Sequence, residues 1–203
     1  MDATEKGEDL VAQTWRLLGT LAAPVLAPFL AEWPQTTERR AVASSALPVL
    51  RWLPELVRDA PSFSTALVGA LHQAAPSLAW RQTYTVREVG ARFLDCYGWS
   101  EIAGESGPLP SKRIACGYLL LGPDTHYPRH RHEAEEIYLP LAGTAAWQQG
   151  DGLWRDRSPG TLIYHVSDEA HAMRTGEHPL LALYLWRSAH LSQKARFDAS
   201  QID

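Results

Sequence analysis

The chain changes its hydrophobic period near residue 110. Before that point apolar residues recur every three or four positions, which gathers them on one stripe of a helix. Residues 6–22 carry Leu10, Val11, Trp15, Leu17, Leu18 and Leu21 in this spacing. Pro24 and Pro28 then break or kink the run, because proline lacks an amide proton and its ring clashes with the preceding turn. Ala41–Val57 and Ser64–His72 repeat the amphipathic pattern, with prolines at 48, 54, 61 and 76 as punctuation. A further helix is predicted over Thr85–Tyr97. Thr85 with Glu88 three residues on forms a capping box, and Gly98 suits the position past the helix end.

After residue 110 the period becomes two, or the run becomes wholly apolar. Strands are predicted over Arg113–Leu121, Glu136–Leu141, Thr144–Gln149, Leu153–Arg157, Thr161–His165, His171–Thr175 and Leu180–Arg187. Gly143, Gly150, Gly152 and the Pro159–Gly160 pair separate several of them. Many short strands divided by such turns specify a sandwich or small barrel. The expected organisation is a mainly β fold: a helical region (1–110) packing on a β core (111–190), then a polar, loose tail (191–203).

Composition leaves this picture in place and narrows the partners. The 203 residues are 45% hydrophobic and 21% charged, with a net charge of −4. No basic surplus favours nucleic acid or an anionic membrane. The apolar stretch 17–33 is interrupted by two prolines, and the acidic start MDATEKGEDL does not resemble a signal peptide, so a cytoplasmic protein is expected. Cys96 and Cys116 form no metal-type pair and read as buried thiols.

The chemistry concentrates in THYPRHRHEAEEIYLPLAG, residues 125–143. On a strand, His130 and His132 point to one face. Glu136 follows four residues later, and Tyr138 shares the Glu136 face of the next strand. Imidazoles with a carboxylate suit a divalent transition metal such as Zn, Fe, Mn or Ni. His171, opening a later strand, is the best fourth ligand; His165, His178 and His190 are weaker candidates.

Gly122, His130, His132, Glu136 and Gly143 resemble the first cupin motif, with a slightly longer spacer before His130, and the run from Gly160 to His171 resembles the second. Val166, Asp168 and Thr175 depart from that second motif. A closer resemblance spans residues 80–187. WRQTYTVREVGARFLDCYGW, CGYLLLG, HRHEAEEIYLPLAG and the late YLWR are similar to the bacterial cupin-type lyases of dimethylsulfoniopropionate (DMSP). The resemblance implies a cupin barrel with one divalent metal held by His130, His132, Glu136 and His171. It also implies a catalytic Tyr138 and a second active-site tyrosine, Tyr127.

The implied reaction is β-elimination of DMSP to dimethyl sulfide and acrylate, with Tyr138 as base. Tyr127 would donate a hydrogen bond or share that role. The sulfonium end calls for an aromatic wall. Tyr184 and Trp186 alternate onto one face of the last strand, and Tyr118 lies on the strand before the motif; Trp147 and Trp154 are further options. Two other readings stay open: another cupin enzyme acting on a small carboxylate, including an Fe(II) oxygenase, and a non-enzymatic binding cupin. The sequence leaves the oligomeric state open; cupins often dimerise, and a homodimer is one candidate by that analogy.

Overall fold

The computed structural model describes residues 3–198. Five helices precede or interrupt the first strands: α1 (Ala3–Leu21), α2 (Ala27–Ala31), α3 (Leu53–Asp59), α4 (Thr65–Ala74) and α5 (Val86–Asp95). The predicted helix over Ala41–Val57 does not form as one element. A 3-10 turn spans Pro48–Trp52, and α3 follows it directly. Pro48 and Pro54 each sit in a first turn, where a missing amide proton costs nothing, so the prolines start two short elements instead of continuing one. α5 carries the predicted capping box: the Glu88 carboxylate accepts the Thr85 backbone N–H at 2.7 Å.

Twelve strands form two sheets. They are β1 (Trp80–Arg81), β2 (Tyr97–Gly104), β3 (Leu109–Pro110), β4 (Ile114–Leu121), β5 (His126–Arg131), β6 (Glu135–Ala142), β7 (Ala145–Gln149), β8 (Arg155–Arg157), β9 (Ile163–His165), β10 (His171–Thr175), β11 (Leu180–Arg187) and β12 (Arg196–Phe197). The larger sheet runs β1-β2-β4-β11-β6-β9, with β3 beside β2; the smaller runs β12-β5-β10-β7-β8. The fold is a mainly β cupin, with the helices laid on one sheet.

Strand parity divides the large sheet into two cores. Cys116, Tyr118 and Leu120 of β4, Ile137 and Leu139 of β6, and Leu183 and Leu185 of β11 pack with Leu10, Leu18, Phe29, Leu56 and Leu71 of the helices. The alternate residues, among them Leu119, Leu121, Tyr138, Ala182 and Tyr184, join Tyr84, Tyr97, Tyr127 and Trp147 in the interior of the barrel. Because both faces are covered, β4 is buried at all eight positions, and the sequence reads as one apolar run. Gly143 closes the β6–β7 turn with φ of 77°, a left-handed conformation that glycine adopts without strain.

Three segments depart from the expected pattern. β1 and β2 begin the large sheet before residue 110, within the stretch expected to be helical. β5 is a strand although no apolar alternation marks it. The tail is not loose up to residue 198: β12 pairs with β5, and Leu191 and Ala195 are buried. Asp198 accepts hydrogen bonds from Arg129 at 3.0 Å and Arg131 at 2.8 Å. Ser192, Gln193, Lys194 and Arg196 of this segment are exposed. The rest of the predicted tail, 199–203, lies outside the described residues. Among the described residues no helix is long and apolar enough to cross a membrane.

Candidate active site

Sheet register, more than sequence proximity, assembles the centre. β10 lies antiparallel to β5 with His171 opposite His130. β11 lies against β6 with Trp186 opposite Glu136 and Tyr184 opposite Tyr138, and β9 sets His165 opposite Glu136. His130, His132, Glu136, His165 and His171 are all buried.

The ring nitrogens of His130, His132 and His171 lie within 4.8 Å of one another. Each Nδ1 meets a backbone carbonyl: Pro128 for His130 at 2.8 Å, Ala134 for His132 at 2.9 Å and Glu169 for His171 at 2.9 Å. A carbonyl only accepts, so each Nδ1 carries a proton, which leaves Nε2 as the nitrogen through which each ring can act on the centre. Glu136 Oε2 lies 3.0 Å from His132 Nε2 and 3.2 Å from His171 Nε2. Such an electron-rich cluster is held together by a shared proton or by a cation. The orientation of all three rings through Nδ1 is the support that metal-binding histidines use. Three buried histidines here can hold a metal ion, and the donor set fits one.

The electrostatics agree with that fit. Burial, followed by the neighbouring His171 and His132, holds the His130 imidazole well below its ordinary pKa, and hence neutral. Burial opposes ionisation of Glu136, but His132 and His171 outweigh it and hold the carboxyl well below the usual range. Burial first, and the Glu136 charge second, push the Tyr138 phenol well above its ordinary value. Without a cation Tyr138 is therefore a protonated phenol.

A cavity of about 360 Å³ opens from this centre. Glu136, Tyr127, Tyr138, Tyr184 and Trp186 line it. Tyr127 stacks on His130 with centroids 4.2 Å apart, and its hydroxyl pairs with that of Tyr84 at 2.9 Å. Trp186 donates its indole N–H to Glu136 Oε1 at 2.6 Å and lies over the His132 ring at 4.2 Å. It thus supports two members of the centre as well as forming wall. Trp186→Phe keeps the ring but removes that donor. It is expected to weaken metal affinity about 10- to 100-fold, as read by competition with a chelator.

Tyr118 does not line the cavity, which corrects the sequence expectation for it. Its side chain points to the helical layer, fully buried, with its hydroxyl 2.6 Å from Thr14 Oγ1 of α1. Thr14→Val strands that buried hydroxyl and is expected to cost about 1–3 kcal/mol in denaturant unfolding, with the cavity unchanged. Trp154 lies under Arg174, its ring centroid 4.5 Å from the guanidinium, and is absent from the cavity wall. Trp147 is buried beside Tyr138 at 6.1 Å. His178 and His190 are largely exposed and pair with Glu55 and Glu133. His165 stacks on His171 at 4.0 Å with Nδ1 against Glu169, and burial holds it at about 3, uncharged.

Several cavity residues were not singled out from sequence: Tyr84, Tyr97, Glu101 and the segment 191–195. Trp99 borders the cavity, whereas Trp80 is buried in the helix–sheet core. Tyr84, Tyr97 and Trp99 all fall in WRQTYTVREVGARFLDCYGW, so that stretch held the available signal. For 191–195, which folds back from the chain end, local pattern held none.

The family model of dimethylsulfoniopropionate lyases matches residues 25–182. The chain is 36% identical over 136 residues to the dimethylsulfoniopropionate lyase DddQ of Ruegeria pomeroyi, spanning 65% of this chain and 68% of that one. It is 34% identical over 119 residues to the putative dimethylsulfoniopropionate lyase DddL of Cereibacter sphaeroides, spanning 58% of this chain and 49% of that one. The crystal structure of DddQ from Ruegeria pomeroyi DSS-3 superposes with a TM-score of 0.88 at 30% identity, covering 98% of this chain and 99% of that one. A chain from the crystal structures of the DMSP lyases RdDddP and RnDddQII gives 0.86 at 32% identity, covering 97% and 100%. Match length, identity and whole-chain superposition agree, and this chain belongs to the dimethylsulfoniopropionate lyase family, a family of enzymes built on the cupin fold.

Proposed function

We propose that this chain cleaves DMSP to dimethyl sulfide and acrylate by β-elimination, with one divalent transition metal held by His130, His132, Glu136 and His171. One observation supports the reading above the others: the ring nitrogens of His130, His132 and His171 gather with Glu136 Oε2, and Glu136 opens on a cavity whose wall also carries Tyr127, Tyr138, Tyr184 and Trp186. When bound there, the metal supplies Lewis-acid attraction for a substrate carboxylate and positive charge beside Tyr138.

The residues of the chain do the rest. Tyr138 shares its strand face with Glu136 and takes the proton from the carbon next to the substrate carboxylate. The C–H electron pair becomes the C=C bond of acrylate, and the C–S bond breaks with its electrons on sulfur, which leaves as neutral dimethyl sulfide. Tyr127, oriented by Tyr84 and stacked on His130, places a hydroxyl at the same end of the cavity to donate a hydrogen bond to the carboxylate. Trp186 keeps Glu136 in place through its indole N–H. The segment 191–195 narrows the access of water to the cavity.

The test is headspace detection of dimethyl sulfide from DMSP with purified protein loaded in turn with Zn, Fe, Mn and Ni. Release with at least one metal supports the reading. No release from fully loaded protein with any of the four overturns the substrate and directs the search to other small carboxylates.

A further inference from the structure

We propose that Glu101 is the counter-charge for the cationic end of the substrate, so that the cavity selects small carboxylates carrying an onium group at their far end. This rests on the reading that the substrate carboxylate lies at the histidine centre.

One row of side chains crosses the large sheet from the centre to Glu101. Tyr138 of β6 is opposite Tyr184 of β11, Tyr184 is opposite Gly117 of β4, and Gly117 is opposite Glu101 of β2. Three strand spacings put the ends of the row about 14 Å apart between backbones, and both end side chains line the one cavity. Gly117 leaves room for the row. A Cβ there would lie 2.7 Å from the Tyr184 hydroxyl and 2.9 Å from Glu101 Cα. The Tyr184 hydroxyl therefore lies over the glycine, beside Glu101. Tyr97 and Trp99 add aromatic faces at the same end.

The Glu101 carboxylate is held in place before any ligand arrives. β2 bulges between Glu101 and Ala103, and the side chain folds against Gly104, whose missing Cβ would fall 2.6 Å from Oε1. The Ser106 backbone N–H donates to Oε1 at 2.6 Å, and the Gly107 N–H donates as well. What it lacks is a cation. Among the described residues no lysine or arginine forms an ion pair with it, and Arg81 and Arg40 act only through space. Burial raises its pKa despite those two N–H groups, as a largely desolvated carboxylate without a counter-ion requires. Glu136, at the other end, is fully partnered by His132, His171 and Trp186. The cavity therefore has one end built to receive an anion and another holding a carboxylate that, among the described residues, has no ion-pair partner and lies beside aromatic rings. A sulfonium or trimethylammonium group satisfies the carboxylate and the rings together.

The experiment compares two ligands of equal shape on metal-loaded protein by calorimetry: 3-(trimethylammonio)propanoate and its neutral isostere 4,4-dimethylpentanoate. Wild type is expected to bind the cation at least about tenfold more tightly. Glu101→Gln, which keeps an oxygen for the Ser106 N–H, is expected to remove that preference and leave the isostere unchanged. No preference in wild type, or a preference that survives in Glu101→Gln, overturns the inference. Should Glu101→Gln misfold, Glu101→Asp withdraws the charge by one methylene and must cut the preference at least threefold; an unchanged ratio again overturns it. A Glu101-dependent preference without dimethyl sulfide release sinks the DMSP reading alone. Release without such a preference sinks this inference alone.

Discussion

Tyr138→Phe is expected to lower dimethyl sulfide release by about a thousandfold while the bound metal stays in place. The substitution is nearly isosteric. The ring keeps its packing against Trp147, His165 and His171, and Glu136, which loses the phenol as a partner, keeps His132, His171 and Trp186. Tyr138 is not among the four residues that would hold the metal, so metal content is unchanged and only the proton acceptor is lost. The electrostatics of the site bear on when Tyr138 would act as the proposed base. Burial and the Glu136 charge keep the phenol protonated, so the basic form depends on positive charge brought to the neighbouring imidazoles. Headspace assay beside metal analysis on the same preparation checks both halves. A metal-loaded Tyr138→Phe enzyme as fast as wild type would remove Tyr138 from the chemistry.

The second large effect is removal of the metal. Chelation is expected to abolish turnover and to lower thermal stability. A ligand present at a thousandfold over its Kd stabilises the native state by about 4 kcal/mol, which for a domain of this size is roughly 10 °C in Tm. His132→Ala should reproduce the loss of metal and no longer respond to added metal. It also leaves Glu136, wholly buried, with one imidazole fewer, so this variant is expected to melt below chelated wild type. Scanning calorimetry with and without metal on both proteins separates the two contributions. Equal activity and equal Tm before and after chelation would show that the cluster is held by a proton alone.

The sequence by itself determined β4, β6 to β11, α1, α4 and α5, and the sharing of one face by Glu136 and Tyr138. Those features are local. β6 alternates Glu136 and Tyr138 with Ile137 and Leu139, so the polar face and the apolar face are distinct residue types and parity alone separates them. The HxH spacing and the capping box are equally short-range.

Tertiary structure decided the remainder, for one recurring reason: a signal vanishes where the residues on both sides of an element are alike, or where its partner is distant in the chain. β4 is buried on both faces, so nothing in IACGYLLL shows that Tyr118 turns to α1 while Leu119 turns inward. β5 and β2 direct histidine, tyrosine, tryptophan and glutamate into the barrel, so the strands that build the site lack the apolar alternation by which strands are recognised. The 191–198 segment looks like a tail because its partners, Arg129, Arg131 and the β5 edge, lie nearly seventy residues earlier. Trp186 and Glu101 have surroundings set by what faces them across strands, the Glu136 carboxylate for one and the side-chain-free Gly117 for the other. Residue type and spacing chose the chemistry; register between distant strands chose which residues meet.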